Sequence, residues 1–268
     1  MKQFKEINGI TICYDDTMEM DKKPLFLFHG LTGNKETMYM FRDIFKDQYR
    51  TICVDTRGHG ESTHPEVYTL RDHGLDAHAL IEALGFEKVN ILGYSMGSYV
   101  ALQIAEIKSD NIDRLILLCT KPSGKTSSVE KLAKERGIDM KSLTPQQLQQ
   151  IILSSAYAPK TLEKMKTGEF DPSTINAGIN GVQLTPEEKE AESKSLANFD
   201  LTNDLDKVNC KTLVISGEFD GINGPELGEI VAKGIKGSKY VMIKDAGHMV
   251  PYEQPEEFIK VVREFLSE

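Results

Sequence analysis

Short apolar runs alternate with stretches of helical periodicity through most of the chain. Strands are expected at residues 10–14, 25–28, 50–55, 89–92, 115–119, 212–216 and 240–243. Between them, the spacing of apolar residues predicts helices at 37–46, 70–84, 96–107, 225–235 and 255–266. In the second of these, Leu75, Ala79 and Leu80 form one stripe, and Gly85 ends the helix. Such alternation implies an α/β fold, a mostly parallel central sheet with helices on both faces.

Residues 121–200 break the rhythm. Strand signals vanish, and Lys, Glu, Gln and Ser dominate. Two helix starts are legible, at Thr144-Pro145 and Thr185-Pro186, each a capping residue followed by proline at the first helical position. Leu148, Ile151, Ile152 and Tyr157 give the first of these helices something to bury. A stretch of about 80 residues is too long for a connection. The expected organisation is a core of 1–120 and 201–268 with a helical cap inserted at 121–200.

Composition narrows the classes. With 268 residues, 40% hydrophobic and 27% charged, the chain reads as one soluble α/β domain. A net charge of −9 argues against nucleic acid or an anionic membrane surface as partner, since both require basic patches. No apolar run approaches the length of a membrane span, and residues 1–9 lack the apolar core of a signal peptide. The cysteines at 13, 53, 119 and 210 are widely spaced, without a C-x-x-C pair, and suit a reduced cytoplasmic protein. The sequence leaves the oligomeric state open.

Chemistry enters at Gly93-Tyr-Ser95-Met-Gly97, between the strand at 89–92 and the helix at 96–107. By composition about 0.1 such G-x-S-x-G matches arise by chance in a chain this long, so the flanking elements carry the weight. A serine at a strand end and a helix start is lifted clear of the sheet as a nucleophile. It needs a base, an orienting acid and somewhere to place negative charge. The base candidate is His248, on a glycine-containing loop after the last strand, with His59 as its rival. His64, His73 and His78 fall in a polar loop and an amphipathic helix and read as solvated. Asp220, at the end of the strand at 212–216, is the acid candidate, and Glu218 is the alternative. The loop His29-Gly-Leu31-Thr-Gly33 can supply a main-chain N–H. With Met96 N–H, Leu31 N–H would form an oxyanion hole, while His29 shapes the loop.

Five landmarks in this order resemble the α/β-hydrolase superfamily over nearly the whole chain: HGLTG at 29–33, DTRGHGES at 55–62, GYSMG at 93–97, GEFD at 217–220 and AGHMVPYEQPEEF at 246–258. The resemblance is to its capped serine esterases and lactonases, and it implies Ser95 as nucleophile, His248 as base and Asp220 as acid. Two positions depart from many members: Ser98 replaces a glycine, and Pro225 follows the acid by five residues instead of four. The expected activity is hydrolysis of a small ester, lactone or thioester through an acyl-enzyme, with no cofactor and no metal. The alternatives are carbon–carbon hydrolysis or a lyase step on a carboxylate substrate, and a non-catalytic binder.

Overall fold

The computed structural model describes residues 1–125, 134, 137, 139, 143–175 and 181–268. The rest of the 121–200 segment lies outside the described residues. All seven expected strands are present, as β2 (Ile10–Asp16), β3 (Lys23–Phe28), β4 (Tyr49–Val54), β5 (Val89–Tyr94), β6 (Ile112–Leu118), β7 (Lys211–Gly217) and β8 (Lys239–Ile243). An eighth, β1 (Lys2–Ile7), was not expected. It pairs with β2 across the turn Asn8-Gly9, both residues at positive φ, and its residues are mostly too exposed to leave an apolar run.

The sheet order is β1-β2-β4-β3-β5-β6-β7-β8, parallel from β4 to β8 and antiparallel at the β1–β2–β4 edge. Successive strand residues feed opposite faces, as a pleat requires. Phe26 and Phe28 join one buried cluster with Ile91, Leu115 and Leu117. Leu25 and Leu27 join the other with Leu92, Ile116 and Leu118. Helix α1 (Tyr39–Phe45) buries Phe41 and Phe45 in the second cluster. Helices α2 (Leu70–Ala83) and α3 (Met96–Lys108) bury Leu80, Val100 and Ile104 in the first.

The α2 stripe is corrected. Leu75 is exposed, and the buried side runs through Leu70, His73, Gly74, Ala77, Leu80 and Ile81. Gly74 explains the shift, because a Cβ there would lie 2.6 Å from Gln103 Cγ of α3. His73 is therefore not solvated. It is 2% exposed, and neither ring nitrogen finds a partner among the described residues.

Between β6 and β7 lie α4 (Pro145–Ala156), α5 (Pro159–Thr167) and α6 (Pro186–Ser195). The first and last start at the expected threonines, each with a complete capping box. Beyond β7 come α7 (Pro225–Gly234) and α8 (Pro255–Ser267), whose Phe258 meets Phe41 edge-on. Among the described residues no helix is long and apolar enough to cross a membrane.

Buried imidazoles give the fold an acid-sensitive centre. Burial holds His29 near a pKa of about 3 and His73 well below its ordinary 6.5. Below about 6.5 the unfolded chain binds protons that the folded chain refuses, so stability is complete above that pH and is lost as pH falls. Each group contributes up to about 1.4 kcal/mol per pH unit in that window. Urea unfolding from pH 7 to pH 5 should show this loss, and His73→Leu should make it shallower by about one proton. An unchanged slope in that variant would mean His73 accepts a proton while folded.

Candidate active site

Strand β5 runs into Ser95 at φ 53° and ψ −117°, outside the regions an L-residue normally adopts, and α3 begins at the next residue. Gly93 and Gly97 permit this turn. A Cβ on Gly93 would lie 2.1 Å from the Gly97 carbonyl oxygen, and one on Gly97 equally close to that of Phe28. Such a conformation costs roughly 1–3 kcal/mol and persists only where neighbours hold it. Here Ser95 N–H donates to Leu118 O at 2.9 Å, while Ser98 donates to Ser95 O through its N–H at 2.9 Å and its hydroxyl at 2.5 Å. Ser98 thus braces the turn, which gives the first sequence departure a purpose.

The structure brings Ser95, His248 and Asp220 together. His248 Nδ1 lies 2.8 Å from Asp220 Oδ2, and its Nε2 lies 2.9 Å from Ser95 Oγ. A carboxylate only accepts, so Nδ1 carries the proton and Nε2 is free to accept from the serine hydroxyl. Asp220 is buried, and its other oxygen accepts the N–H groups of Ile222 and Asn223 at 2.9 and 2.8 Å. Those bonds close the acid loop before Pro225 starts α7, so the extra residue there is accommodated. Tyr94 stacks on the imidazole at 5.6 Å and donates to His248 O at 2.9 Å. Glu218 instead accepts Asp245 N–H at 3.1 Å. The rival base His59 is buried with Nε2 2.5 Å from Glu192 Oε1.

The expected oxyanion donors border the same space as Ser95. A Cβ on Gly30 would lie 3.4 Å from Ser95 Cβ, so the Gly30–Leu31 peptide passes directly beside the serine. Gly30 O accepts Gly33 N–H at 3.0 Å and, at 2.8 Å, the Nδ1–H of His29. A trans peptide points its N–H opposite to its carbonyl, so these bonds turn Leu31 N–H the other way. Burial keeps His29 neutral, and its Nε2 accepts Thr56 N–H at 3.2 Å. Met96 N–H, first in α3, has no intrahelical acceptor. The 55–62 landmark is structural: Asp55 is buried against Lys35 Nζ at 3.0 Å and accepts the N–H groups of Lys35 and Glu61 at 2.6 and 3.0 Å.

A family model for the alpha/beta hydrolase fold matches residues 23–255. The chain belongs to the α/β hydrolase family. The protein is a hydrolase, similar over the full length of both chains to a proline iminopeptidase of Pestalotiopsis fici at 28% identity. It is also similar to 3-oxoadipate enol-lactonase 1 of Acinetobacter baylyi, at 26% identity over 92% of this chain and 90% of that one. Among solved structures, a thermophilic esterase of Thermogutta terrifontis superposes with a TM-score of 0.79 at 29% identity, covering 100% of this chain and 98% of that one.

In this hydrolase two cavities meet at Ser95. One, of about 470 Å³, is bordered by His248, Tyr94 and Tyr252, with His248 the only titratable nitrogen among its described lining residues. The other, of about 730 Å³, is bordered by Met96, Tyr99, Lys121, Lys189 and Glu192. Ile152 of α4 touches both. The C-terminal end of α4 also clamps the loops that carry Asp220 and His248. Ser155 O accepts Gly221 N–H at 2.9 Å, Ala156 O accepts His248 N–H at 2.7 Å, and Glu253 accepts Ala158 N–H at 2.8 Å. Tyr157, one of the residues expected to be buried, packs against Phe170. Among the described residues, two groups could present ligand atoms to a metal: Cys119, Asp220 and His248, and Cys13, Asp55 and Glu61. Burial pushes the Cys119 thiol well up and Cys13 to about 12, so both stay protonated, and Lys35 already occupies the second carboxylate pair. Sequence reasoning missed Glu192, which sits 1% exposed in the otherwise polar helix α6.

Proposed function

We propose that the protein hydrolyses a small carboxylic ester, lactone or thioester through an acyl-enzyme on Ser95. The observation that carries this reading is the continuous chain Ser95 Oγ, His248 Nε2, His248 Nδ1, Asp220 Oδ2 opening into the two cavities. Ser95 Oγ attacks the carbonyl carbon as His248 takes its proton, and the carbonyl oxygen becomes an oxyanion facing the Leu31 and Met96 N–H groups. Collapse expels the alcohol or thiol with the proton returned by His248. Water, deprotonated by the same imidazole, then releases the acid. Asp220 holds the ring in the Nδ1–H tautomer and stabilises the imidazolium.

The leaving group must lie beside His248, because it receives that proton. The smaller cavity borders His248, so the leaving group belongs there and the acyl group in the larger one. We assign residues 121–200 the role of a cap over both. A lactone or ester substrate is in keeping with the enol-lactonase and esterase relatives. Lys121 and Lys189 on the larger cavity favour one further reading, hydrolysis at a carbon–carbon bond of a carboxylate substrate.

The test is a panel of p-nitrophenyl esters of increasing acyl length, with hemisuccinate, lactones and thioesters alongside. Turnover of an ester, lactone or thioester, abolished in Ser95→Ala, is expected. Inactivity on all of them would contradict the reading. Ile152→Ala should reorder the esters by several-fold in kcat/KM while changing the smallest ester least. A proportional change for every ester would make Ile152 a stability residue only.

A further inference from the structure

We propose that Glu192 is a positioning residue that lets the cap segment set the geometry of the oxyanion turn. This inference rests on the reading of Leu31 N–H as an oxyanion donor. Glu192 projects from α6, far along the chain from the turn, yet its Oε1 accepts Thr32 N–H at 2.7 Å. The same oxygen lies 2.5 Å from His59 Nε2. A proton lies between these two atoms, because a carboxylate has no donor of its own. His59 is itself fully buried, its Nδ1 2.9 Å from Arg57 O and 3.1 Å from Thr56 Oγ1. Thr56 also donates its N–H to His29, whose Nδ1–H holds Gly30 O. Glu192 therefore holds the turn at Thr32 N–H, and His29 holds it at Gly30 O.

The turn needs that grip. Thr32 sits at φ 54°, a left-handed conformation that β-branched residues avoid. A backbone in this state springs back unless its surroundings hold it. A charge-assisted hydrogen bond donated to a buried carboxylate is a strong hold. Its partner N–H belongs to the peptide immediately after the one carrying Leu31 N–H. Release of Thr32 would let the Gly30–Leu31 peptide rotate, moving the donor away from the oxyanion that forms at Ser95. A donor removed outright typically costs about 10²–10³ in kcat, and one misplaced by about 1 Å costs up to about 10².

Glu192→Leu removes the acceptor, whereas Glu192→Gln keeps an oxygen for Thr32 N–H. The expected result for Glu192→Leu is a fall in kcat of about tenfold to a hundredfold with KM within about twofold. Affinity for an alkyl trifluoromethyl ketone, whose adduct places an oxyanion in the hole, should fall by the same factor as kcat/KM. Glu192→Gln should retain kcat within about threefold, since a neutral oxygen still accepts. If Glu192→Leu does not fold, Glu192→Ala, with room for a water between Thr32 and His59, takes its place. Unchanged kcat, or a loss confined to KM with ketone affinity intact, would overturn the positioning role. Wild-type protein that hydrolyses no ester and takes up no fluorophosphonate would overturn the serine-hydrolase reading, and this inference with it. Labelling at Ser95 alongside full kcat in Glu192→Leu overturns this inference alone.

Discussion

Ser95→Ala is expected to lower kcat by about 10⁶, the loss typical of removing a nucleophile that works with a base and an orienting acid. The magnitude follows from the contacts. Ser95 Oγ is the group His248 Nε2 faces, and without it the imidazole has nothing to activate but water. Folding should be untouched, because the hydroxyl opens onto the cavities and the strained turn is held by main-chain groups, Ser98 and the two glycines. The check pairs ester turnover with a thermal melt. Activity within tenfold of wild type would remove Ser95 from the chemistry. Lost activity with a lowered melting point would count against a hydroxyl that opens onto the cavities and would point to a folding defect instead.

Asp220→Asn is expected to cost about 10⁴ in kcat, since an amide can donate to Nδ1 and turn the protonated nitrogen of His248 toward the serine. Glu218→Gln should cost less than about tenfold, because its carboxylate reaches only the N–H of Asp245. Steady-state kinetics on both variants separates two acids only two residues apart. A crippling Glu218→Gln beside a mild Asp220→Asn would move the acid to the neighbouring position. Ser95 and His248 would keep their places.

The candidate site was legible because its parts obey short-range steric rules. Two glycines at fixed spacing around Ser95 report a close strand–helix approach that leaves room for nothing else. His248 and Asp220 lie on loops after strands whose apolar runs are unmistakable. The central parallel strands β4 and β5 were legible for the same reason, being buried on both faces. Lys2–Ile7 was not, since an edge strand in which charged and polar residues flank a lone Phe4 shows no apolar run, although Asn8-Gly9 is a strong hairpin signal. Helix α5 was missed because Ala158 precedes Pro159 without a side-chain cap. The burial of His73 depends on how closely α3 passes Gly74, and periodicity within α2 carries no record of that. Glu192 was invisible for a deeper reason. Its helix carries four glutamates, and only the tertiary fold singles out the one that reaches His59 and Thr32.

That Ser95 forms the covalent intermediate is most directly tested by peptide mass spectrometry after treatment with a fluorophosphonate. One label per chain should appear, on the peptide bearing Ser95, with none on Ser95→Ala and much slower uptake by His248→Gln. An ester-hydrolysing protein that stays unlabelled, or carries the label on another residue, would contradict an acyl-enzyme at Ser95.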